Sequence, residues 1–591
     1  MKAFQRQHLI VFLAFVACAT TLVSGQTNVL TWHNDNWRDG LNSNETILNQ
    51  ANVNATQFGK LCSAVLDGQV FGQPLVVSTG GQNVVYVATM NDTVYALNGT
   101  NCSLINIVSL LQTSEEAVQC TDVGGGKCHT ISPIIGVLGT PVIDLSTNTI
   151  YLVSESESTA APICNVIKKP ATCFIHRLHA LDLTTFAEKF NGPVTVAATV
   201  PGTGYTSQKG TLPFTPNGHI QRAGLLELSG TMPNGDSGIY IGFSEIDGVG
   251  IPSKSIPQGW VFAYDAQNLT ATQEGGMILP TYVWSSTPNG EGGGVWASGA
   301  GLAAGLDSPS GSTYIYLVTG DGDFSANTGG SDYGDSFVKL PTSLGAPSAY
   351  FTPFAQACMN PADQDFGSSG VMLIPDSGST YYAVAASKQG IIYAMNRANP
   401  GGYTAPTNST CPATGTNANA EYFVGSPHQY YMTPVSWNSQ IYFISMKGPI
   451  AKYQLNLNTP PVCLFSPICT GNIVKSAVNF QYGTNLSASA SGTTTGTAIV
   501  WAAKGNGWPN VTPPAPVTLY AYDAEHVVSR NMPELWDSSK CPTRDKTGNS
   551  TKFVLPTIAN GVVYLGSMDP TDSTNIRGEL DVFGLTSAAC N

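Results

Sequence analysis

An all-β fold, a ring of eight four-stranded antiparallel blades closed by strands from both ends of the chain, is what this sequence predicts. Three observations carry it: an eightfold repeat, a composition poor in helix formers, and a strand-like segment standing alone before the first full repeat.

The repeat is an aromatic and β-branched strand, a polar turn, then a second strand ending in Ala-Leu-Asp-like residues. Its copies begin with VVYVATMNDTVYALNG (Val84 to Gly99), then TIYLVSES with IHRLHALDL (to Leu183) and GIYIGFSE with GWVFAYDA (to Ala266). They continue with YIYLVTGDGD and DSFVKL (to Leu340), YYAVAASKQGIIYAMNR (to Arg397) and IYFISMKGPIAKYQLN (to Asn456). AIVWAAKGNG with TLYAYDA (to Ala524) and VVYLGSMDP with LDVFGL (to Leu585) complete the set. The pieces alternate apolar and polar residues, as strands of stacked sheets do. Successive ends lie roughly 55 to 85 residues apart, room for a four-stranded blade with long loops. A β-solenoid needs a shorter period, and an immunoglobulin array needs a Cys…Trp…Cys framework that is missing.

Composition agrees. Charged residues make up 11% and glycines number 62, which favours strands joined by tight turns. The last copy ends near Leu585 without an outer strand, while FGKLCSAVLDG (Phe58 to Gly68) reads as an outer strand ahead of the first copy. Pairing the two closes the ring and protects the sheet edges. The 591 residues therefore divide into a signal peptide at 1–25 and one eight-bladed β-propeller at 26–591.

The signal peptide is read from Lys2, Arg6 and His8 before an apolar run, Leu9 to Val23, that ends in small residues. No later segment reads as a membrane span, so a secreted, extracellular protein is expected. Cys18 falls in the leader; the other twelve cysteines point to disulfides, with Cys120–Cys128, Cys164–Cys173 and Cys463–Cys469 as short-loop pairs. Ten N-x-S/T sequons make a glycoprotein plausible in a eukaryotic secretory route. A net charge of −13 argues against nucleic acid or anionic membrane as partners.

The copies resemble the pyrroloquinoline quinone (PQQ) propeller repeat, and four segments are similar to the quinoprotein alcohol dehydrogenases. These are WHNDNWRDGLNSNETILNQANVNATQFGKL from Trp32, GEGGGVWASGAGL from Gly290 with the following YLVTGDGDF, DQDFGSSGVMLI from Asp363, and SKQGIIYAMNR from Ser387. The resemblance implies PQQ near the propeller axis beside a Ca²⁺ ion, with a carboxylate taking the alcohol proton as hydride leaves. Asp365 matches the catalytic base, although Gln364 stands where the family has Trp. Asp321 and Glu245 match metal ligands, Trp296 the aromatic floor under the quinone, and Lys388 the cation at its rim. The adjacent-cysteine disulfide over the family's quinone has no counterpart. Each residue also has an ordinary use: turn aspartates, a loop glutamate, a core tryptophan, a solvated strand-end lysine.

Other motifs are weaker. DGDFSANTGGSD (Asp321 to Asp332) spaces oxygen ligands by two, but Ala326 and Asp332 break the EF-hand pattern. GDSG at Gly235 to Gly238 reads as a turn before a strand, and His176 and His179 fall on opposite faces of one. The expected function is oxidation of an alcohol or sugar with PQQ and calcium, with electrons passing to an external acceptor because no haem motif occurs. The rival expectation is an inactive secreted propeller serving as a glycan- or protein-binding matrix scaffold, through loops such as Thr404 to Glu421 and Ser487 to Thr497.

Overall fold

A computed structural model describes residues 27–123, 128, 131–164, 169–246, 256–274, 277–297, 300–374, 380–417, 420–456, 465–466, 473–480, 484–505 and 515–590. Eight antiparallel sheets stand around one axis, each with an inner, second, third and outer strand. Blade 1 is Leu75–Thr79, Gln82–Ala88, Thr93–Asn98 and Leu104–Ser109; blade 2 is built on Val142–Asp144, Thr149–Ser158, Phe174–Asp182 and Val194–Thr195. Blade 3 uses Leu226–Leu228, Gly238–Glu245, Trp260–Asp265 and Tyr282–Ser285; blade 4 uses Ala303–Leu306, Thr313–Val318, Phe337–Pro341 and Ala349–Thr352. Blade 5 is Met372–Leu373, Tyr382–Ala386, Ile391–Asn396 and Ala420–Val424, and blade 6 is Val435–Trp437, Gln440–Ile444, Pro449–Leu455 and Val474–Asn479. Blade 7 comprises Leu486–Ser489, Ile499–Lys504, Thr518–Asp523 and Glu534–Asp537.

Blade 8 closes the ring as expected. Its inner three strands, Thr557–Ala559, Val562–Met568 and Gly578–Leu585, accept Phe58–Leu66 as the outer strand, with Phe58 opposite Leu585 and Leu66 opposite Gly578. Phe58 packs edge-on to Trp536 at 4.9 Å between ring centres, which anchors this strand in the apolar layer between blades 7 and 8.

Alternation between buried and exposed positions fades towards the middle of the blades. Gly238–Glu245 and Trp260–Asp265 are buried at every position, because neighbouring blades cover both of their faces. Leu104–Ser109, on the perimeter, alternates exposed and half-buried residues. The tyrosine that recurs in the repeat has a structural use. Tyr86, Tyr151, Tyr240 and Tyr442 each donate a hydroxyl to the carbonyl just past the third strand of the next blade: Leu183 (3.2 Å), Ala266 (3.0 Å), Thr342 (2.8 Å) and Ala524 (2.8 Å). Each bond ties one blade to its neighbour and satisfies a hydroxyl that burial would otherwise strand.

The segment from Val29 to Glu45 winds past the inner strands of all the blades in order. Val29 exchanges backbone hydrogen bonds with Val76, and Leu30 accepts from Ile143. Arg38 donates to the carbonyls of Leu225 and Leu302, and Asn36 accepts from Ala304. Trp37, Asp39 and Gly40 then accept from Leu373, Ser436 and Ala488, and Asn42 donates to Ile558. The Glu45 carboxylate ends the path on the Gly561 amide. Arg38, fully buried, satisfies the carbonyls that the inner strands turn towards the axis.

Disulfides join Cys120 to Cys128 and Cys164 to Cys173, as the spacing indicates, and also Cys62 to Cys102, Cys358 to Cys411 and Cys541 to Cys590. The expected Cys463–Cys469 pair and the signal peptide lie outside the described residues. No helix among the described residues is long and apolar enough to cross a membrane.

Candidate functional site

The second strands of blades 3, 4 and 5 carry their functional side chains at the same end. Glu245 closes Gly238–Glu245, Asp321 follows Thr313–Val318 after a Thr-Gly turn, and Lys388 follows Tyr382–Ala386. Asp365 and Trp296 come from the segments that lead into the inner strands of blades 5 and 4. The eightfold register therefore brings together residues far apart in sequence.

Lys388 is the hub. Its Nζ lies 2.6 Å from Asp365 Oδ2 and 2.5 Å from Asp363 Oδ1, and its backbone amide donates to the Asp365 carbonyl. Asp365 Oδ1 accepts the Asp321 amide at 2.9 Å, and Oδ2 accepts the Ser368 hydroxyl at 2.7 Å. Asp335, absent from the sequence expectations, lies beside them. Its amide donates to Gly320, clamping the two ends of the 321–335 hairpin together, and its Oδ1 accepts the Phe366 amide. Carboxylate oxygens of Asp321, Asp335 and Asp365 all lie within 4.8 Å of one another, and all three residues are buried.

Three carboxyls so close cannot all ionise unaided. Burial, then the charges of Asp365 and Asp335, push Asp321 up to about 12. Burial and Asp365 likewise push Asp335 well above the carboxylate range. Burial works against Asp365 too, but the charge and hydrogen bond of Lys388 hold it at about 2. Lys388 itself, despite burial, is raised above an ordinary ammonium by Asp365 and Asp363. One ionised carboxylate thus faces two that keep protons, and Asp321 Oδ1 and Asp335 Oδ2 are buried with no hydrogen-bond partner. An all-oxygen set with two unsatisfied oxygens fits a hard cation such as Ca²⁺.

Trp296 stands at the cluster's edge. A Cβ on Gly320 would come within 2.9 Å of Trp296 Cδ1 and 3.4 Å of Asp365 Oδ1, so glycine is what lets ring and carboxylate approach. Gly293, at φ +75°, donates its amide to the Asp321 carbonyl and sets the turn that delivers Trp296. Trp296 Nε1 donates to Glu245 Oε1 at 2.8 Å. Glu245 therefore braces the indole and lies outside the three-carboxylate cluster, where Asp335 provides the further carboxylate expected of it. Below, Trp32 of the winding segment packs with Ala297 and Ala300.

A second arc, also missed from sequence, completes the rim. Arg222 lies over Trp296 (5.6 Å) and Phe553 (4.3 Å), Phe553 faces Tyr431 (6.5 Å), and Lys388 lies 5.9 Å from the Tyr431 ring. The Cys120–Cys128 disulfide belongs to the apolar cluster on which Trp296 packs. Acidic, cationic and aromatic groups thus share one site, an arrangement suited to a metal ion beside a flat anionic molecule.

The 321–332 loop is no calcium loop of its own: Asp332 Oδ2 is bonded to Ser325 Oγ, and Asp321 turns into the carboxylate cluster. Gly235 makes the expected turn at φ +89°, and His176 and His179 lie on one strand.

No family model and no curated protein match the chain. Among solved structures it is similar to the quinohemoprotein alcohol dehydrogenase ADHIIG of Pseudomonas putida HK5. The TM-score is 0.54 at 14% identity, over 95% of this chain and 81% of that one. It is also similar to the quinohemoprotein alcohol dehydrogenase of Comamonas testosteroni, with TM-score 0.52 at 14% identity, over 94% and 80%. The chain thus shares its eight-bladed propeller fold with these dehydrogenases; at this identity the likeness is one of fold alone.

Proposed function

We propose that the chain is a secreted quinoprotein-like oxidoreductase that oxidises an alcohol or sugar with PQQ and Ca²⁺ and passes the electrons to an external acceptor. The observation that carries this reading is the convergence of Asp321, Asp335, Asp365 and Lys388 beside Trp296. Asp321, Asp335 and Asp365 would hold the cation, and Trp296, Arg222 and Lys388 would hold the quinone. When bound, the quinone supplies the hydride acceptor and the ion polarises it.

The residues' own contributions follow from their environment. Asp365 is ionised across the physiological range, ready to take a hydroxyl proton at Oδ2. It becomes an effective base when an anionic ligand draws Lys388 away from it, because that charge is what holds its proton affinity down. Lys388 also stabilises negative charge gathering at the rim. Glu245 fixes the indole plane of Trp296.

A second reading, a cofactor-free secreted propeller that binds glycans or proteins, draws support from Arg222, which already covers a face of Trp296. Calorimetric titration of the calcium-loaded protein with PQQ separates the two. Binding that Asp321→Ala and Lys388→Ala weaken supports the oxidoreductase; no heat from a well-folded sample at high micromolar PQQ leaves the scaffold.

A further inference from the structure

The hairpin between the second and third strands of blade 4 has two ends in the carboxylate cluster, Asp321 and Asp335, and a middle that faces elsewhere. Phe324 and Tyr333 pair across it, and their rings leave the axis for the flank of the blade. There they meet Tyr350 of the outer strand and Tyr403, whose short strand Gly402–Tyr403 runs parallel to that outer strand. Ring centres are 5.1 Å apart for Phe324–Tyr403, 6.0 Å for Phe324–Tyr350 and 5.5 Å for Tyr333–Tyr350, with buried Trp284 behind Tyr333 at 6.3 Å. All four outer rings are only half-buried. The hydroxyls of Tyr333, Tyr350 and Tyr403 donate to no protein group among the described residues. Exposed Asp323 and Asn327 flank them on the same hairpin.

We propose that this aromatic surface binds a neutral glycan chain. Sugar rings present a C–H face that packs on aromatic rings and an edge of hydroxyls that pairs with carboxylates, amides and phenols, and this surface offers both. Charge excludes a polyanion. Lys339 is the one Lys or Arg between residues 255 and 387, and it is buried against Asp307 and Tyr314. Protein interfaces enrich arginine beside their Tyr and Phe anchors, and no arginine occurs between residues 255 and 387. No large apolar side chain between residues 206 and 423 is well exposed among the described residues. The platform is a surface separate from the axial site, and glycan binding there needs neither metal nor quinone. The shared hairpin ties its geometry to that of Asp321 and Asp335.

Native electrophoresis of the full chain in gels cast with laminarin, xyloglucan or galactomannan tests this, with dextran sulfate as the charged control. Retardation is expected in at least one neutral polymer. Phe324→Ala with Tyr403→Ala should weaken it about tenfold, roughly the loss of a stacked ring pair. Phe324→Trp with Tyr403→Trp should preserve it, and so should Asp365→Asn, which changes the axial site and none of the four rings. No retardation in any neutral polymer, retardation that survives the double alanine variant, or retardation by dextran sulfate alone overturns the proposal. Loss of PQQ binding in the calorimetric test leaves it standing.

Discussion

Replacing Asp335 with asparagine should move stability in opposite directions with and without calcium. Asp335 is fully buried, its Oδ2 has no partner, and it crowds two other carboxyls. In the metal-free Asp335→Asn protein the introduced side-chain amide can donate to Asp321 or Asp365, and satisfying one buried polar atom contributes about 1–3 kcal/mol. The entropy of unfolding, about 2.1 cal/mol/K per residue, sums to roughly 1.2 kcal/mol/K for a chain of this length, so the metal-free variant should melt about 1–2 °C higher. Calcium bound at this site would, at about a hundred times its Kd, stabilise the wild type by about 2.7 kcal/mol, or about 2 °C. Loss of a ligand carboxylate should remove most of that shift at the same concentration. Differential scanning calorimetry with EGTA and then with excess Ca²⁺ reads both quantities. A variant that melts lower in EGTA, or that keeps the full calcium shift, would refute the assignment of Asp335 to a cation site.

Two further variants and one modification map test the fold and its electrostatics. Glu227, on the inner strand of blade 3, is pushed up to about 7 by burial and then by Asp144. Its folded-state value lies above its unfolded one, so its stabilising contribution is present below about pH 4.5 and lost as pH rises through 7. The difference, about 3 kcal/mol, predicts that Glu227→Gln melts with the wild type near pH 4.5 and about 2–3 °C above it at pH 8. The Cys62–Cys102 disulfide staples the closing strand to blade 1 across a sequence separation of 40. Chain-entropy arithmetic gives it about 4 kcal/mol, so Cys62→Ser with Cys102→Ser should melt roughly 3 °C lower. Asn485 is 1% exposed and donates to the Phe553 carbonyl at 2.9 Å. Peptide mapping of protein from a glycosylating host should find it unmodified, and a glycan there would contradict the fold around blade 7.

What sequence revealed and what it hid follow from the range of each signal. The blade pattern is local: Tyr151 sits in a strand of β-branched neighbours whichever blade it bonds, so the repeats are visible without their partners. The Thr-Gly-Asp turn that carries Asp321 and the Ser-Lys-Gln-Gly turn that carries Lys388 are local too, and the ring's register then brings them together. Asp335 was hidden because Gly-Asp-Ser before a strand is an ordinary turn, and only the Gly320 clamp turns it inward. Arg222, Tyr431 and Phe553 belong to segments between blades, where no periodicity marks a side chain as facing the axis. The short-loop disulfides could be read from spacing, whereas Cys358–Cys411 and Cys541–Cys590 join loops that meet only once the ring has formed.

Closure and site geometry depend on one another. The path of Val29 to Glu45 bonds inner strands from Val76 around to Gly561, so each blade's distance from the axis is fixed by one continuous backbone as well as by its neighbours. Trp32 lies on that path and packs under Ala297 and Ala300, beside Trp296. If one blade moved outward, the Asp321–Lys388 side of the site would separate from the Arg222–Phe553 side, because the two sides come from different blades and meet through Trp296 and Tyr431. Were Asp321 and Asp335 to ionise beside Asp365, their like charges would drive the blades apart. The hydrogen bonds of Arg38, which reach blades 3 and 4, oppose that separation where it would first occur. The winding segment is therefore part of the site's architecture although none of its side chains enters the carboxylate cluster.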